Sequence, residues 1–284
     1  MPKMAITTLI DREAQTSDTL VYRKDLPMEG YVSAIDIGVR FTNGATVPQN
    51  KDPLDIFNHI SLLFNGTDYR FHLKGQDVYR YNWAREGKPM PQSWTEVASA
   101  TQETWFRIPL GRFIGDKEYG LDLSKFRNVQ LQLDYALSNF GTVGTHIITG
   151  TIAFTVLMHE FVYPQRPAFK GLIAAREFWT GTSVASRTTQ ERLPNQNPMT
   201  AVYVSATEDA IADGTDITDI KIGKDRFGVV WVDGKWYNFA RVMNDKLAVR
   251  YEDFILTYAA AATKLVHVNN VRFSTLTNEN YHLK

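Results

Sequence analysis

The chain has 284 residues, of which 44% are hydrophobic and 22% are charged, a composition typical of folded globular proteins rather than disordered chains. Lysine and arginine together number 31, as do aspartate and glutamate, so the formal net charge is zero. A protein that grips nucleic acid through its phosphates needs an excess of cations, so direct nucleic-acid binding is not expected. The absence of cysteine excludes disulfide frameworks, thiolate metal sites and cysteine nucleophiles.

The N-terminal segment is interpreted as an arm over residues 1–18. It includes Asp11, Arg12 and Glu13 and has no long apolar core, so it is not expected to be a secretory signal. No run of 18 apolar residues occurs anywhere, and no membrane-spanning helix is predicted. Over residues 1–25 four basic side chains balance four acidic ones. A neutral arm is better suited to contacts with proteins than to gripping DNA.

Alternation of apolar and polar residues with a period of two is the dominant pattern, and it predicts β-strands with one core face and one solvated face. Asn-Gly and Asp-Gly pairs between the runs predict tight turns with positive φ. Many short strands separated by such turns are typical of an all-β sandwich. The alternating runs are residues 35–41, 129–135, 152–158, 220–222, 247–251 and 266–268, and the predicted turns are Asn43-Gly44, Asn65-Gly66, Asp213-Gly214 and Asp233-Gly234.

The two halves of the chain share a weak internal repeat. Helical patterns are confined to residues 76–85 and 237–246, and each follows a strand, a turn and an aromatic-rich stretch. Lys24-Asp25-Leu26-Pro27 and Glu191-Arg192-Leu193-Pro194 each precede a predicted strand at similar places in the two halves. Between the halves, two prolines in residues 164–171 restrict the backbone and interrupt strand pairing. This segment is therefore predicted to link two similar sandwiches.

The side chains that carry chemistry form no catalytic motif. His159-Glu160 begins like a zinc-protease motif, yet Tyr163 stands where the second histidine is required, so His159 is interpreted as a polar residue at a strand end. His72 is predicted to lie on a solvated strand face. There is no nucleophile elbow, and Leu121 replaces the lysine of a phosphate loop. The sequence predicts no catalytic, cofactor-binding or metal-ligating residue, and no enzyme.

One acidic segment leaves an alternative open. Oxygen-rich loops suit calcium, which takes 6–8 oxygen ligands, but the spacing lacks the bidentate glutamate of an EF-hand. A solvated loop is favoured, with a structural calcium ion as the alternative. The acidic residues are Glu208, Asp209, Asp213, Asp216 and Asp219.

Three segments follow one another in the first half: residues 106–113 with an Ile-Pro-Leu centre, residues 119–123, and the hydrophobic run 129–135. This succession resembles the double jelly-roll major capsid proteins of tailless DNA viruses, in the adenovirus–tectivirus–corticovirus lineage. The Asn65-Gly66 hairpin followed by an aromatic helix is similar to the first sandwich of that family. The match between residues is confined to about residues 20–160, and the chain is closest in size to the small phage versions.

The resemblance implies two tandem eight-stranded jelly-roll β-sandwiches with short helices in the loops. It implies a major capsid protein that trimerises into pseudo-hexameric capsomers, which tile an icosahedral virion shell around an internal membrane. The implied partners are other copies of the chain, penton proteins and minor capsid or membrane proteins, after synthesis in the host cytoplasm. The implied domains are an arm over 1–18, a first jelly roll over 19–163, a linker over 164–171 and a second jelly roll over 172–284.

Two other interpretations stay open. One is a carbohydrate-binding or glycan-cleaving tandem jelly roll, such as a phage receptor-binding protein, which requires a groove with convergent aromatic side chains and carboxylates. The other is an uncharacterised soluble β-enzyme. A stable trimer of about 97 kDa, three times the chain mass of 32.3 kDa, distinguishes the capsid interpretation from both.

Overall fold

The computed structural model divides into two compact units, and each is described by itself. The first unit is formed mainly by Met1–Trp83 and Lys88–Arg176, and the second mainly by Glu177–Leu256 and Thr263–Lys284. The structure describes residues 3–47, 51, 53–86, 92–93, 95, 97–162 and 167–178, and beyond these the short strands of the second unit. The domain bounds given above, with the linker at 164–171, stay a prediction.

The described residues of the first unit form two β-sheets and one α-helix. All strands pair antiparallel except β11, which pairs parallel to β5. The elements are β1 (Lys3–Ala14), β2 (Thr19–Asp25), β3 (Tyr31–Thr42), β4 (Phe57–Phe64), β5 (Asp68–Leu73), α1 (Gly75–Glu86), β6 (Gln92–Ser93), β7 (Thr101–Pro109), β8 (Leu121–Asp122), β9 (Val129–Ala136), β10 (Ala153–Val162) and β11 (Ala175–Arg176).

The strand order of the first unit is that of a jelly roll. The first sheet has the order β1-β10-β3-β7-β6, with β8 paired to β3, and the second has the order β11-β5-β4-β9-β2. The long strands form the quartets β1-β10-β3-β7 and β5-β4-β9-β2. This is the eight-stranded, double Greek-key arrangement that defines a jelly roll. The sandwich predicted from the alternation pattern is confirmed for this unit.

The core of the first unit lies between the two sheets and is rich in aromatic rings. Phe154 of β10 is fully buried and has its ring centre 5.4 Å from that of Tyr22, 5.5 Å from that of Tyr135 and 6.1 Å from that of Phe57. Tyr22 and Tyr135 come from the second sheet, as does Phe57. Phe154 therefore joins the two sheets directly.

Three of the alternating runs coincide with strands β3, β9 and β10, which confirms those predictions. In β3 the alternation misleads about exposure, because the strand is buried on both faces over most of its length. Asp36, expected on a solvated face, is only 8% exposed. A central strand whose outer face is also covered requires partners for such a group.

Helix α1 confirms the helix predicted over residues 76–85. Asp77 lies in its first turn and Arg85 in its last, as the helix dipole favours. Its buried Asn82 binds the backbone of Arg107 in β7, since Oδ1 accepts from the Arg107 N–H at 2.7 Å and Nδ2 donates to the Arg107 carbonyl at 2.7 Å. The helix therefore covers an edge of β7 that would otherwise leave backbone groups unpaired.

The predicted turns have mixed outcomes. Asn65 and Gly66 have φ of 52° and 79° between β4 and β5, which confirms a tight hairpin turn. The turn predicted at Asn43-Gly44 is wrong, because neither residue has positive φ. Asn43 is instead buried, and its Nδ2 donates to the carbonyl oxygens of two later residues at 2.8 and 3.0 Å. Asp233-Gly234 lies inside a strand rather than a turn, and Asp213-Gly214 lies outside the described residues.

The N-terminal arm predicted over residues 1–18 differs from the structure. Residues 3–14 form β1, which pairs antiparallel with β10 along the edge of the first sheet. Of the side chains described in β1, only that of Ile10 is fully buried. The burial that would produce a clear alternating pattern is therefore missing, although backbone pairing fixes the strand in place.

The described residues of the second unit are short strands. The order of the largest sheet is β12-β19-β14-β15, and β13 pairs with β18 and β16 with β17. The run 220–222 is confirmed as part of β14, whereas the runs 247–251 and 266–268 and the helix predicted over 237–246 lie outside the described residues. The strands are β12 (Glu191–Arg192), β13 (Val202–Val204), β14 (Asp219–Lys224), β15 (Val229–Lys235), β16 (Ile255–Thr257), β17 (Thr263–Leu265), β18 (Val271–Phe273) and β19 (Tyr281–Leu283).

Candidate functional site

A buried ion-pair cluster lies on the first sheet. Asp36 of β3 stands directly opposite Arg107 of β7, and His159 comes from β10 on the other side of β3. Nε and Nη2 of Arg107 donate to the two oxygens of Asp36 at 2.5 and 2.8 Å, and Nε2 of His159 lies 2.8 Å from Oδ2. The cluster therefore ties together three adjacent strands.

The electrostatics of the cluster favour an ionised Asp36. Burial by itself raises the pKa of this carboxyl, but the hydrogen bonds and charges of Arg107 and His159 outweigh burial and hold the pKa below its ordinary value of 3.8. With Asp36 ionised, the imidazole N–H of His159 is the donor. Both oxygens of the carboxylate are occupied by strand neighbours, so the group acts as a structural anchor of the sheet.

The position of His159 corrects the sequence prediction. It was expected to be a polar residue at a strand end, yet its side chain is 9% exposed and bound to Asp36. Alternation did not reveal this because its partner lies 123 residues away in the chain. His72 was expected on a solvated face. It is half-buried instead, stacked on His59 with ring centres 4.2 Å apart, and its Nδ1 lies 2.8 Å from Oγ of Ser61.

A second charged cluster shapes the loop after β7. Asp116, whose side chain is fully buried, accepts hydrogen bonds from Nε of Arg112 at 2.7 Å, from Nη2 of Arg112 at 3.0 Å and from the backbone N–H groups of Arg112 and Glu118. Glu118 in turn binds Arg112 at 2.7 Å and Lys170 at 3.0 Å. The Arg112 guanidinium also lies 4.9 Å above the ring of Tyr119. These contacts fix the loop as a closed, charge-balanced unit.

We expect acid to destabilise the first unit through both carboxylates. The hydrogen bonds from Arg112 hold the pKa of Asp116 well below 3.8, and the pKa of Asp36 is also lowered. Folding therefore favours their ionised forms, so the stabilisation is fully present above the unfolded pKa and is lost as the pH falls through the lower folded pKa values. Urea midpoints should fall most steeply below about pH 4. Asp116→Asn should flatten that fall, and an unchanged slope would contradict the assignment.

The remaining candidates were a metal site and a membrane span. Within the part of the chain that the structure describes, no group of three or more His, Cys, Asp and Glu side chains is arranged to hold a metal ion. Of the acidic segment 208–219, only Asp219 is described, as the first residue of β14. Among the described helices, none combines the length and apolar character needed to cross a membrane.

Solved structures share this fold along almost the whole chain. The crystal structure of the STIV MCP, from Sulfolobus Turreted Icosahedral Virus, has a TM-score of 0.63 at 12% identity, covering 99% of this chain and 94% of that chain. A quasi-atomic model of the PBCV-1 virus capsid has a TM-score of 0.55 at 12% identity, covering 100% of this chain and 84% of that chain. The major capsid protein of bacteriophage PM2 has a TM-score of 0.50 at 9% identity, covering 99% and 91%.

No protein-family model matches the chain, and no curated protein matches its sequence. At identities of 9–12%, the structural matches show the fold. The predicted fold class, an all-β double jelly roll, is confirmed, and so is the resemblance in architecture to double jelly-roll major capsid proteins.

Proposed function

We propose that this chain is a major capsid protein that builds a virion shell. One observation carries the proposal: the likeness to the STIV MCP extends over 99% of this chain and 94% of that one, so both halves of the fold are matched together. The matched proteins from PBCV-1 and bacteriophage PM2 are also capsid components. Fold alone does not determine function, so the recurrence of one role among these structures supports the proposal and an experiment has to test it.

In this proposal the chain trimerises. Two similar sandwiches per chain, repeated three times, give six similar lobes around one axis, a pseudo-hexameric capsomer that can tile an icosahedral shell. The zero net charge suits dense packing of identical copies, because it avoids mutual repulsion. The shell encloses an internal membrane, its further partners are penton and minor capsid or membrane proteins, and the chain is made in the host cytoplasm.

The role is structural rather than catalytic. The strongest acid–base candidate, His159 beside Asp36, is buried, and Asp36 is also bound twice by Arg107. A general base must reach the proton of a bound substrate, whereas these groups bind one another across three strands. The cluster supports a framework role.

The test is the mass of the purified protein in solution. Size-exclusion chromatography with light scattering should give a stable trimer of about 97 kDa, three times 32.3 kDa. Negative-stain images of concentrated protein should show six-lobed capsomers or hexagonal plates. A monomer at all concentrations, combined with specific binding on a glycan array, would replace the capsid proposal with the carbohydrate-binding alternative.

A further inference from the structure

Four apolar side chains are exposed close together at one corner of the first unit, which we call the β1 corner. Ile6 is 62% exposed and Met4 36%, both on β1, while Phe113 is 61% exposed and Ile114 37%, both on the loop after β7. The loop and the strand touch, since a Cβ built on Gly115 would stand 3.2 Å from the sulfur of Met4. Contiguous exposed apolar side chains on a soluble protein mark an interaction surface.

The same corner holds a sheet edge that is protected over only part of its length. β1 is the last strand of its sheet, and no described strand pairs with its outer edge. Its pairing with β10 is regular over residues 3–8, but two register shifts follow, and Arg12 has φ of 47°. Bulges of this kind keep an edge from pairing with another chain. The stretch without them is the one that carries Met4 and Ile6.

The charges beside the β1 corner indicate what binds there. Arg112, Asp116, Glu118 and Lys170 neutralise one another within the first unit, and the whole chain has no net charge. Anionic membranes and nucleic acids attract surfaces with an excess of cations, which this corner lacks. An identical neutral corner meets no such mismatch, and two identical edge strands can satisfy each other's backbone hydrogen bonds. The fitting occupant is a second copy of this chain.

We propose that residues 3–8 of β1 pair antiparallel with residues 3–8 of a second copy about a two-fold axis. An axis normal to the sheet places one residue opposite its own symmetry mate. Centring the pair on Ile6 brings the two Ile6 side chains together and sets Met4 of each copy opposite Thr8 of the other. This inference rests on the proposed function for its role: a two-fold contact does not build a trimer, so it joins neighbouring trimers of the shell.

A chain without cysteine permits a direct test by crosslinking. Residues directly opposite in an antiparallel pair have Cβ atoms about 4.5–5.5 Å apart, so two Ile6→Cys chains place their thiols close to disulfide distance. The matched control is Thr67→Cys, an exposed position in the turn between β4 and β5. Under mild oxidation Ile6→Cys should give a covalent dimer of about 65 kDa, twice 32.3 kDa, at least about tenfold more than the control. Equal crosslinking by the two variants would overturn the inference.

A second variant separates this inference from the proposed function. Ile6→Glu places like charges opposite each other, which destabilises a strand pair, and Thr67→Glu is its control. The variant should keep the trimer mass and lose the larger assemblies that the unchanged chain forms. A folded Ile6→Glu protein without trimers would place the edge in the trimer contact and contradict the two-fold pairing. A monomeric unchanged chain whose Ile6→Cys variant still crosslinks would retain the pairing and end the capsid proposal.

Discussion

Replacing Arg107 with methionine should lower the free energy of unfolding of the first unit by about 3–5 kcal/mol, the typical effect of removing one partner from a buried ion pair. Asp36 is 8% exposed and has its two oxygens bound by Arg107. Without the guanidinium, the carboxylate either stays charged in a buried site with His159 as its remaining partner or takes up a proton, and both outcomes are unfavourable. Urea denaturation followed by circular dichroism measures the loss.

Two further variants identify the cause of that loss. Arg23→Met removes an arginine from an exposed position of β2 and should change stability by no more than about 0.5 kcal/mol. The double variant Asp36→Leu/Arg107→Met removes both charges and should be more stable than Arg107→Met alone, because no unpaired buried carboxylate remains. If the double variant is the less stable of the two, the loss comes from packing of the arginine stem and not from the stranded charge.

The parts of the fold that sequence could predict are those in which burial alternates along the strand. Residues 35–41 and 152–158 face the core at every second position, so their apolar residues announce β3 and β10. β1 lacks this signal, because exposed Met4 and Ile6 sit among exposed threonines and charges. Its position comes from backbone pairing with β10, which begins about 140 residues later and leaves no mark on the local pattern.

The charged clusters divide in the same way. Arg112, Asp116 and Glu118 are four and two residues apart, so their local spacing could have suggested a self-contained loop. Asp36 and Arg107 are 71 residues apart, and only the register of β3 against β7 brings them together. Polar residues in an alternating strand are expected to face solvent, and this expectation fails wherever the outer face of a sheet is covered. Long-range register and coverage of the outer face are therefore the two things that the local pattern omits.

Phe154 is the position at which a core substitution should have the largest effect. Its ring is fully buried in β10 and contacts the rings of Tyr22, Phe57 and Tyr135 from the opposite sheet. Phe154→Ala should lower the free energy of unfolding by about 3–5 kcal/mol, since it removes the transfer free energy of the ring and leaves a cavity that a jelly-roll core with three fixed aromatic neighbours fills poorly. The change is measured by urea denaturation at neutral pH.

The matched control is Phe178→Ala, because that ring is 46% exposed. Its loss should be no more than about 1.5 kcal/mol, in proportion to the apolar area that it buries. Phe154→Leu keeps most of the buried volume and should lie between the two, which gives a folded protein to measure if Phe154→Ala does not accumulate. The order Ala, then Leu, then the exposed control is the specific expectation. Equal losses at Phe154 and Phe178 would mean that the two sheets are held together by something other than this aromatic cluster, with the Asp36 anchor as the next element to examine, since it binds only strands within one sheet.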